Sequence, residues 1–145
     1  MIEGIKINPQ KIISMNDGDI MHAMKASDQS FIDFGEAYFS MIRPKTIKAW
    51  KMHLSMTLNI VVPIGKVRFV MIPDSSNLNN ISNYQEVILS RDNYCRLTVP
   101  PKIWFGFMGL SKLKNLLLNL SDITHDKNEM RKKEITEFNY RWSEV

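Results

Sequence analysis

Cysteine is nearly absent from this chain, which carries one thiol, Cys95, among its 145 residues. A single cysteine has no partner for an internal disulfide. The sequence also contains neither a CxxC pair nor a Cys/His spacing typical of a zinc site. We therefore expect a protein of a reducing compartment, the cytoplasm, without a structural zinc ion.

Long apolar runs are also missing, since none approaches the roughly 20 residues that a membrane helix needs. The start of the chain, MIEGIKINPQKII, has no basic-then-apolar signal pattern, so we predict no membrane association. A clustered basic stripe is absent too. The 19 Lys and Arg against 15 Asp and Glu give a net charge of +4. This modest excess suits an anionic small ligand better than nucleic acid.

The chain is instead rich in short β-type segments separated by turn residues. We predict strands at Ile5–Ile7, Ile20–Met24, Ala37–Ile42, Thr46–His53, Leu58–Val62, Lys66–Ile72, Glu86–Leu89, Cys95–Val99, Trp104–Gly109 and Asn115–Leu120. Turns are predicted at Asn16–Asp19, Arg43–Lys45, Pro63–Gly65, Pro73–Asn83, Arg91–Asn93 and Pro100–Pro101. With 44% hydrophobic residues the chain can bury one core. We predict a single all-β domain over residues 1–145, a sandwich or barrel.

Two segments near the end of the chain differ in composition from the rest. The run THDKNEMRKKE, residues 124–134, is highly charged, and such a run is typical of a solvated loop. The following FNYRW, residues 138–142, is aromatic again. We expect this aromatic segment to fold back on the barrel surface or to pack on a partner subunit.

A set of motifs distributed along the chain resembles one enzyme family, the dTDP-4-dehydrorhamnose 3,5-epimerases. The motifs are DGD (17–19), FGEAYFS (34–40), IKAWKMH (47–53), a strand ending at Gly65, YCRLTVPP (94–101), WFGF (104–107), NLSD (119–122) and RW (141–142). The resemblance covers nearly the whole chain and is closest to a shorter branch of the family. It implies a cupin-type jelly roll, a homodimer that shares strands, and a nucleotide-diphosphate sugar as ligand.

Most positions that the resemblance aligns with the family's functional residues are changed here. Lys48 stands at an arginine that supports the substrate near its diphosphate, and Lys51 stands at the histidine that acts as base. A register shifted by two residues would place His53 at the base position, but it would break the match at Lys48. Three further positions hold apolar residues in place of a lysine, a histidine and the acid tyrosine: Leu58, Phe105 and Leu118.

Lys51 and His53 are the two candidates for a catalytic base. A lysine can serve only if burial or a neighbouring cation, such as Lys48 or Arg43, lowers its pKa from about 10.4 toward neutrality. Most lysines, however, are solvated surface charges. An imidazole titrates near neutral pH without such tuning, which favours His53 as a base, and the alternative role of His53 is that of a hydrogen-bonded structural histidine.

Metal-dependent cupins provide a second comparison, because they bind the ion through histidines and a glutamate at fixed spacing. On that spacing this chain has Lys51, His53 and Leu58, with Phe105 at the later histidine position. A single imidazole does not hold a divalent ion tightly. We therefore predict a barrel with no metal and no cofactor.

Aromatic side chains accompany the cations on strands that we expect to face the barrel. Aromatic faces beside a few cations suit a nucleotide base and its diphosphate, whereas core filling is the alternative and is favoured for Phe105 and Phe107. By resemblance, Glu36 and Tyr38 fall where the epimerases place a Gln and an Asn around the nucleotide. The predicted substrate-binding residues are Glu36, Tyr38, Lys48, Trp50, Trp104 and Phe105.

Two hypotheses of different functional classes follow. The first is a sugar-nucleotide epimerase or isomerase of surface-polysaccharide or deoxysugar biosynthesis, acting on a dTDP-4-keto-6-deoxyhexose. It would use Lys51 or His53 as base, with Lys48 on the diphosphate. The second is a cupin without catalysis that binds a sugar nucleotide or a partner protein, because several of the family's polar positions are replaced.

Overall fold

Residues 1–74 and 83–143 are described in the computed structural model of this chain, and their regular structure is almost entirely β. The strands are β1 (Lys6–Pro9), β2 (Ile12–Met15), β3 (Gly18–Met21), β4 (Glu36–Ile42), β5 (Ile47–His53), β6 (Leu58–Ile64), β7 (Lys66–Pro73), β8 (Gln85–Ser90), β9 (Cys95–Val99), β10 (Ile103–Gly109), β11 (Asn115–Ser121) and β12 (Met130–Lys132). Short 3-10 helices occupy Lys127–Glu129 and Ile135–Glu137. Within these two ranges, none of the helical segments has the length and apolar character to cross a bilayer.

The strands form two five-stranded sheets and one separate hairpin. The first sheet has the order β1-β9-β6-β11-β4, the second has the order β12-β5-β10-β7-β8, and β2 pairs with β3. All of these pairs are antiparallel, and many join strands that are distant in the chain, such as β1 with β9 and β4 with β11. Such long connections between antiparallel strands are typical of a jelly roll. The predicted all-β cupin-type fold is confirmed.

The inner faces of the two sheets share one apolar core, because side chains alternate between the two faces of each strand. Ile60 and Leu97 come from the first sheet, Phe69 and Leu89 come from the second, and each is at most 2% exposed. Leu58, Ile60 and Leu117 of the first sheet and Phe105 of the second belong to this core and also line the cavity described below. The core therefore fixes the spacing of the two walls of that cavity.

The observed strands agree with most of the predicted ones to within one or two residues. Two strands were missed, β2 and β12. The predicted strand Ile20–Met24 is shifted, because β3 ends at Met21 and forms a hairpin whose turn lies at the predicted Asn16–Asp19. The predicted turn Pro73–Asn83 falls mostly on residues 75–82, which lie outside the described residues.

The end of the chain covers the outer face of the second sheet. Residues 138–142, which we call the aromatic strap, place Phe138, Tyr140 and Trp142 around Trp50. The ring centroids lie 5.2, 6.2 and 5.3 Å from that of Trp50. Phe138 also packs on Trp104 at 6.0 Å. The expectation that this segment folds back on the barrel is confirmed.

Candidate active site

A cavity of about 580 Å³ lies between the two sheets and opens to solvent. Its floor is apolar and includes Leu58, Ile60 and Leu117, whereas the rest of its lining combines cations and polar groups with Phe105, Phe107 and Met130. Six of the eight predicted site residues line it: Glu36, Tyr38, Lys48, Lys51, His53 and Phe105. The fold thus brings together side chains from β4, β5 and β10 that the sequence separates by up to 69 positions, from Glu36 to Phe105.

A bulge in β5 lets two lysines border this cavity although they are three residues apart. Phe105 pairs with Lys51 and Phe107 pairs with Lys48, so that a single residue of β10, Gly106, lies opposite two residues of β5. Gly106 leaves the necessary room, since a Cβ atom built there would lie 2.6 Å from the nearest β5 side chain. Both ammonium groups consequently reach the same side of the sheet.

His53 is held by a carboxylate at the edge of the cavity. Its Nδ1 atom is hydrogen-bonded to Oε1 of Glu129, while Oε2 accepts the backbone N–H groups of Ser55 and Met56, each at 3.1 Å. Burial raises the pKa of Glu129, but the hydrogen bonds from His53 and from the two amides outweigh it and hold that pKa below its ordinary value. An ionised carboxylate on Nδ1 orients the ring and leaves Nε2 free to exchange a proton with a ligand.

Glu129 was missed by the sequence analysis, because the run 124–134 was interpreted as a solvated loop. That interpretation is wrong for its central part. β12 extends the second sheet by pairing with β5, and His125, Lys127 and Lys132 line the cavity. No spacing rule connects Glu129 with His53. The only sequence signal was Met130, a single apolar residue within the charged run.

Lys51 lies directly opposite Lys132 across the ladder between β5 and β12. Partial burial lowers the pKa of Lys51, and the positive charges of Lys132 and Lys48 lower it further. The side chain faces the open cavity, so its burial is incomplete. A lowered pKa increases the neutral fraction of a lysine at a given pH, and only the neutral amine can accept a proton.

The prediction that Trp50 and Trp104 bind substrate is wrong, because both lie on the outer face of the second sheet. They are 1% and 4% exposed. The Nε1 of Trp50 donates to the carbonyl of Ile135 at 3.2 Å, and that of Trp104 donates to Asp74 at 2.8 Å. The bulge turns Trp50 away from the side of Lys48, which it would share in a regular strand, and ordinary strand alternation turns Trp104 away from Phe105's side. Both indoles pack with the aromatic strap.

The positions that correspond to cupin metal ligands hold Lys51, Leu58 and Phe105 beside His53. In residues 1–74 and 83–143 we find no group of three or more His, Cys, Asp or Glu side chains close enough together to hold a metal ion. The Nδ1 atom of His53 is already committed to Glu129. The cavity is bordered by His53 and by several lysines.

Known proteins match this chain along most of its length, although no family profile matches it. The solved structure of a dTDP sugar isomerase from Desulfovibrio desulfuricans G20 is 30% identical and superposes with a TM-score of 0.89. The match covers 97% of this chain and 91% of that protein. The chain belongs to the dTDP-sugar isomerase family.

More distant proteins also match this member of the dTDP-sugar isomerase family, in sequence or in fold. A "Probable low-salt glycan biosynthesis epimerase" from Haloferax volcanii is 20% identical over 127 residues, 86% of this chain and 81% of that protein. A variant of the 3,4-ketoisomerase QdtA from Thermoanaerobacterium thermosaccharolyticum, solved with TDP-4-keto-6-deoxyglucose, is 15% identical. Its TM-score is 0.76, with 92% and 90% of the two chains covered. Solved dTDP-4-dehydrorhamnose 3,5-epimerases also share the fold. The resemblance stated from the sequence is confirmed, and the non-catalytic alternative is not favoured.

Proposed function

We propose that this protein is a sugar-nucleotide isomerase or epimerase that acts on a dTDP-4-keto-6-deoxyhexose in deoxysugar or surface-glycan biosynthesis. One observation carries the proposal: Lys51 and His53, whose Nδ1 is hydrogen-bonded to Glu129, border a single cavity together with further lysines. Membership in the dTDP-sugar isomerase family supports the substrate class. The Haloferax relative, which is named for glycan biosynthesis, supports the biosynthetic role.

The reaction moves a proton at a carbon next to the ketone. Lys51 in its neutral form, or Nε2 of His53, takes the proton, and the electron pair of the broken C–H bond forms the C=C bond of an enolate. The negative charge then resides on the former ketone oxygen, where the positive charges of neighbouring lysines stabilise it. Return of a proton to the same carbon from the opposite face restores the ketone with inverted configuration, as in an epimerase. In an isomerase the proton of the neighbouring hydroxyl passes to the enolate oxygen, and a proton added to the former ketone carbon leaves the ketone on the next carbon.

The remaining cavity residues suit the nucleotide and its diphosphate. Lys48 and Lys132 offer ammonium groups to phosphate oxygens, and Phe105 and Tyr38 offer aromatic faces to a base or a sugar ring. Glu36 can accept hydrogen bonds from donor groups of the ligand. These roles extend the assignments that the sequence predicted for Glu36, Tyr38, Lys48 and Phe105.

Deuterium incorporation tests the proposed reaction. The purified protein is incubated with dTDP-4-keto-6-deoxyglucose in deuterated water, and mass spectrometry and NMR locate the label. We expect deuterium at a carbon adjacent to the ketone, because the enolate is reprotonated by solvent-equilibrated groups. Absence of label at C3, C4 and C5 under conditions where the ligand binds would contradict the proposal.

We also propose a homodimer in which the first sheet forms the contact. β4 is an edge strand, and its outward side chains Phe39 and Met41 are 66% and 60% exposed. Exposed apolar residues on an unpaired edge are typical of an association surface. Light scattering after size exclusion should give twice the chain mass, and Phe39→Lys with Met41→Lys should reduce it to one chain.

Two broader expectations accompany this function. We propose that residues 1–145 act as one domain, because strands from both ends of the chain belong to the same two sheets. The single thiol, Cys95, is free and buried. A cytoplasmic location stays a prediction that rests on cysteine usage.

A further inference from the structure

Two asparagines on the inward face of β11 differ sharply in their hydrogen bonding. Asn115 is fully used: its Oδ1 accepts the backbone N–H groups of Lys66 and Ser111, both at 3.0 Å. Its Nδ2 donates to the carbonyls of Ile42 and Ser111, both at 3.2 Å. This amide closes the turns at its end of the sheet and has a structural role.

Asn119, one inward position beyond Leu117, has no such partners. The residue is 2% exposed, and neither its Nδ2 nor its Oδ1 finds a hydrogen-bond partner among the described residues. It lines the cavity, with Tyr38 of β4 and Ile60 of β6 on either side of it in the sheet. Leaving both halves of a buried amide unpaired costs folding free energy, and such groups call for an explanation.

We infer that Asn119 recognises the α-hydroxyketone of the hexose ring, an inference that rests on the proposed function. A primary amide presents a donor and an acceptor side by side, and a ketone with a hydroxyl on the next carbon presents the complementary pair. Nδ2 donates to the keto oxygen, and Oδ1 accepts from the neighbouring hydroxyl. One ligand group thereby satisfies both unpaired halves of Asn119.

The same contact contributes to the chemistry, because the keto oxygen becomes negatively charged in the enolate. A hydrogen bond from Nδ2 therefore strengthens as the proton leaves carbon. The floor beside it cannot supply this donor, since Leu58 and Ile60 are apolar. Leu58 occupies the position that the resemblance aligns with a substrate-contacting lysine, and Asn119 projects from the strand paired with that of Leu58.

Binding of two probes separates this contact from recognition of the nucleotide, whose base also carries an adjacent donor and acceptor. Affinities of TDP and of dTDP-4-keto-6-deoxyglucose are measured by calorimetry for the wild type and Asn119→Leu. We expect the affinity for TDP to stay within about 2-fold and that for the keto sugar to fall about 10-fold, as the loss of one or two buried hydrogen bonds implies. The deuterium exchange rate should fall further, by about 100-fold, because the donor acts chiefly in the transition state.

Thermal unfolding distinguishes a ligand-binding role of Asn119 from a structural one, because the two roles predict opposite shifts in the melting temperature of the variant. Asn119→Leu should keep or raise the melting temperature of the free protein, since it removes unpaired polar atoms. Asn115→Leu, the matched control on the same strand, should lower it. If Asn119→Leu does not fold, Asn119→Ser is measured in its place. The same result is expected, a nearly unchanged affinity for TDP and a reduced affinity for the keto sugar.

Each other outcome overturns a distinct part of the inference. Equal weakening of TDP and keto sugar means that the amide contacts the nucleotide, and unchanged affinity for both means that it contacts no ligand. If the wild type exchanges deuterium normally and Asn119→Leu does too, the inference falls while the proposed function stands. If the wild type neither binds nor exchanges, both fall.

Discussion

Replacing Glu129 with glutamine decides which residue is the base. Oε2 of Glu129 accepts two backbone N–H groups at 3.1 Å, so the single carbonyl oxygen of glutamine is expected to keep those bonds. The NH2 group then faces Nδ1 of His53, which must give up its proton to accept from it. The proton moves to Nε2, and the ring nitrogen nearest the ligand becomes a donor.

The size of the effect follows from the contacts that change. Stability should fall by about 1 kcal/mol, because a hydrogen bond to a charged group is replaced by a neutral one while the backbone bonds remain. A histidine base fixed in the wrong tautomer costs about 10,000-fold in serine proteases. We therefore expect the exchange rate of Glu129→Gln to fall by at least about 100-fold, with the affinity for TDP nearly unchanged.

Deuterium exchange into the keto sugar and urea unfolding measure the two effects separately. Glu134→Gln is the matched control, because Glu134 lies in the same segment and is exposed. An exchange rate for Glu129→Gln within about 3-fold of the wild type, together with loss of exchange in Lys51→Met, would refute the argument for His53. The base would then be Lys51.

Three further predictions concern binding, packing and acid stability. Lys48→Met should weaken TDP binding about 10-fold by calorimetry, with a smaller salt dependence than the wild type, because one charge-assisted phosphate contact is lost. Trp50→Ala should lower the free energy of unfolding, measured in urea, by about 3–5 kcal/mol, because it removes the indole on which the aromatic strap packs and leaves a cavity there. A loss below about 1 kcal/mol would contradict that packing. The backbone N–H of Lys25 and the guanidinium of Arg96 hold the pKa of Asp28 below 3.8. The stabilising contribution of Asp28 is therefore present above about pH 4 and is lost as the pH falls through the lower pKa of the folded state. The free energy of unfolding of Asp28→Asn, measured in urea, should therefore fall less steeply below about pH 4 than that of the wild type.

Strand positions were predictable because alternation and turn residues are local properties of the sequence. β9 was predicted at its observed bounds, Cys95–Val99, and β5 and β10 differ from prediction by one residue at one end. β12 was not predicted, because a strand of three residues in a charged run shows no alternation of apolar and polar residues. Its pairing with β5 is set by the tertiary structure.

The residues of the candidate site were likewise predictable where their relation is local in the sequence, and not where the tertiary structure sets it. Lys48, Lys51 and His53 were predicted together because they lie on one strand, whereas Trp50 was placed with them wrongly. A bulge changes which side of the sheet each following residue faces, and its cause lies in the partner strand, at Gly106. Glu129 could not be found from the sequence, because its contact with His53 spans 76 positions.

All three tryptophans of the chain belong to the cluster outside the barrel: Trp50, Trp104 and Trp142. Among the described residues that line the cavity, none is a tryptophan. Indole fluorescence of this protein is therefore a spectroscopic reporter of one event, the docking of the aromatic strap. Its emission should shift to the red when the strap detaches. Ligand titrations will need calorimetry or NMR, because a sugar nucleotide can fill the cavity without touching an indole.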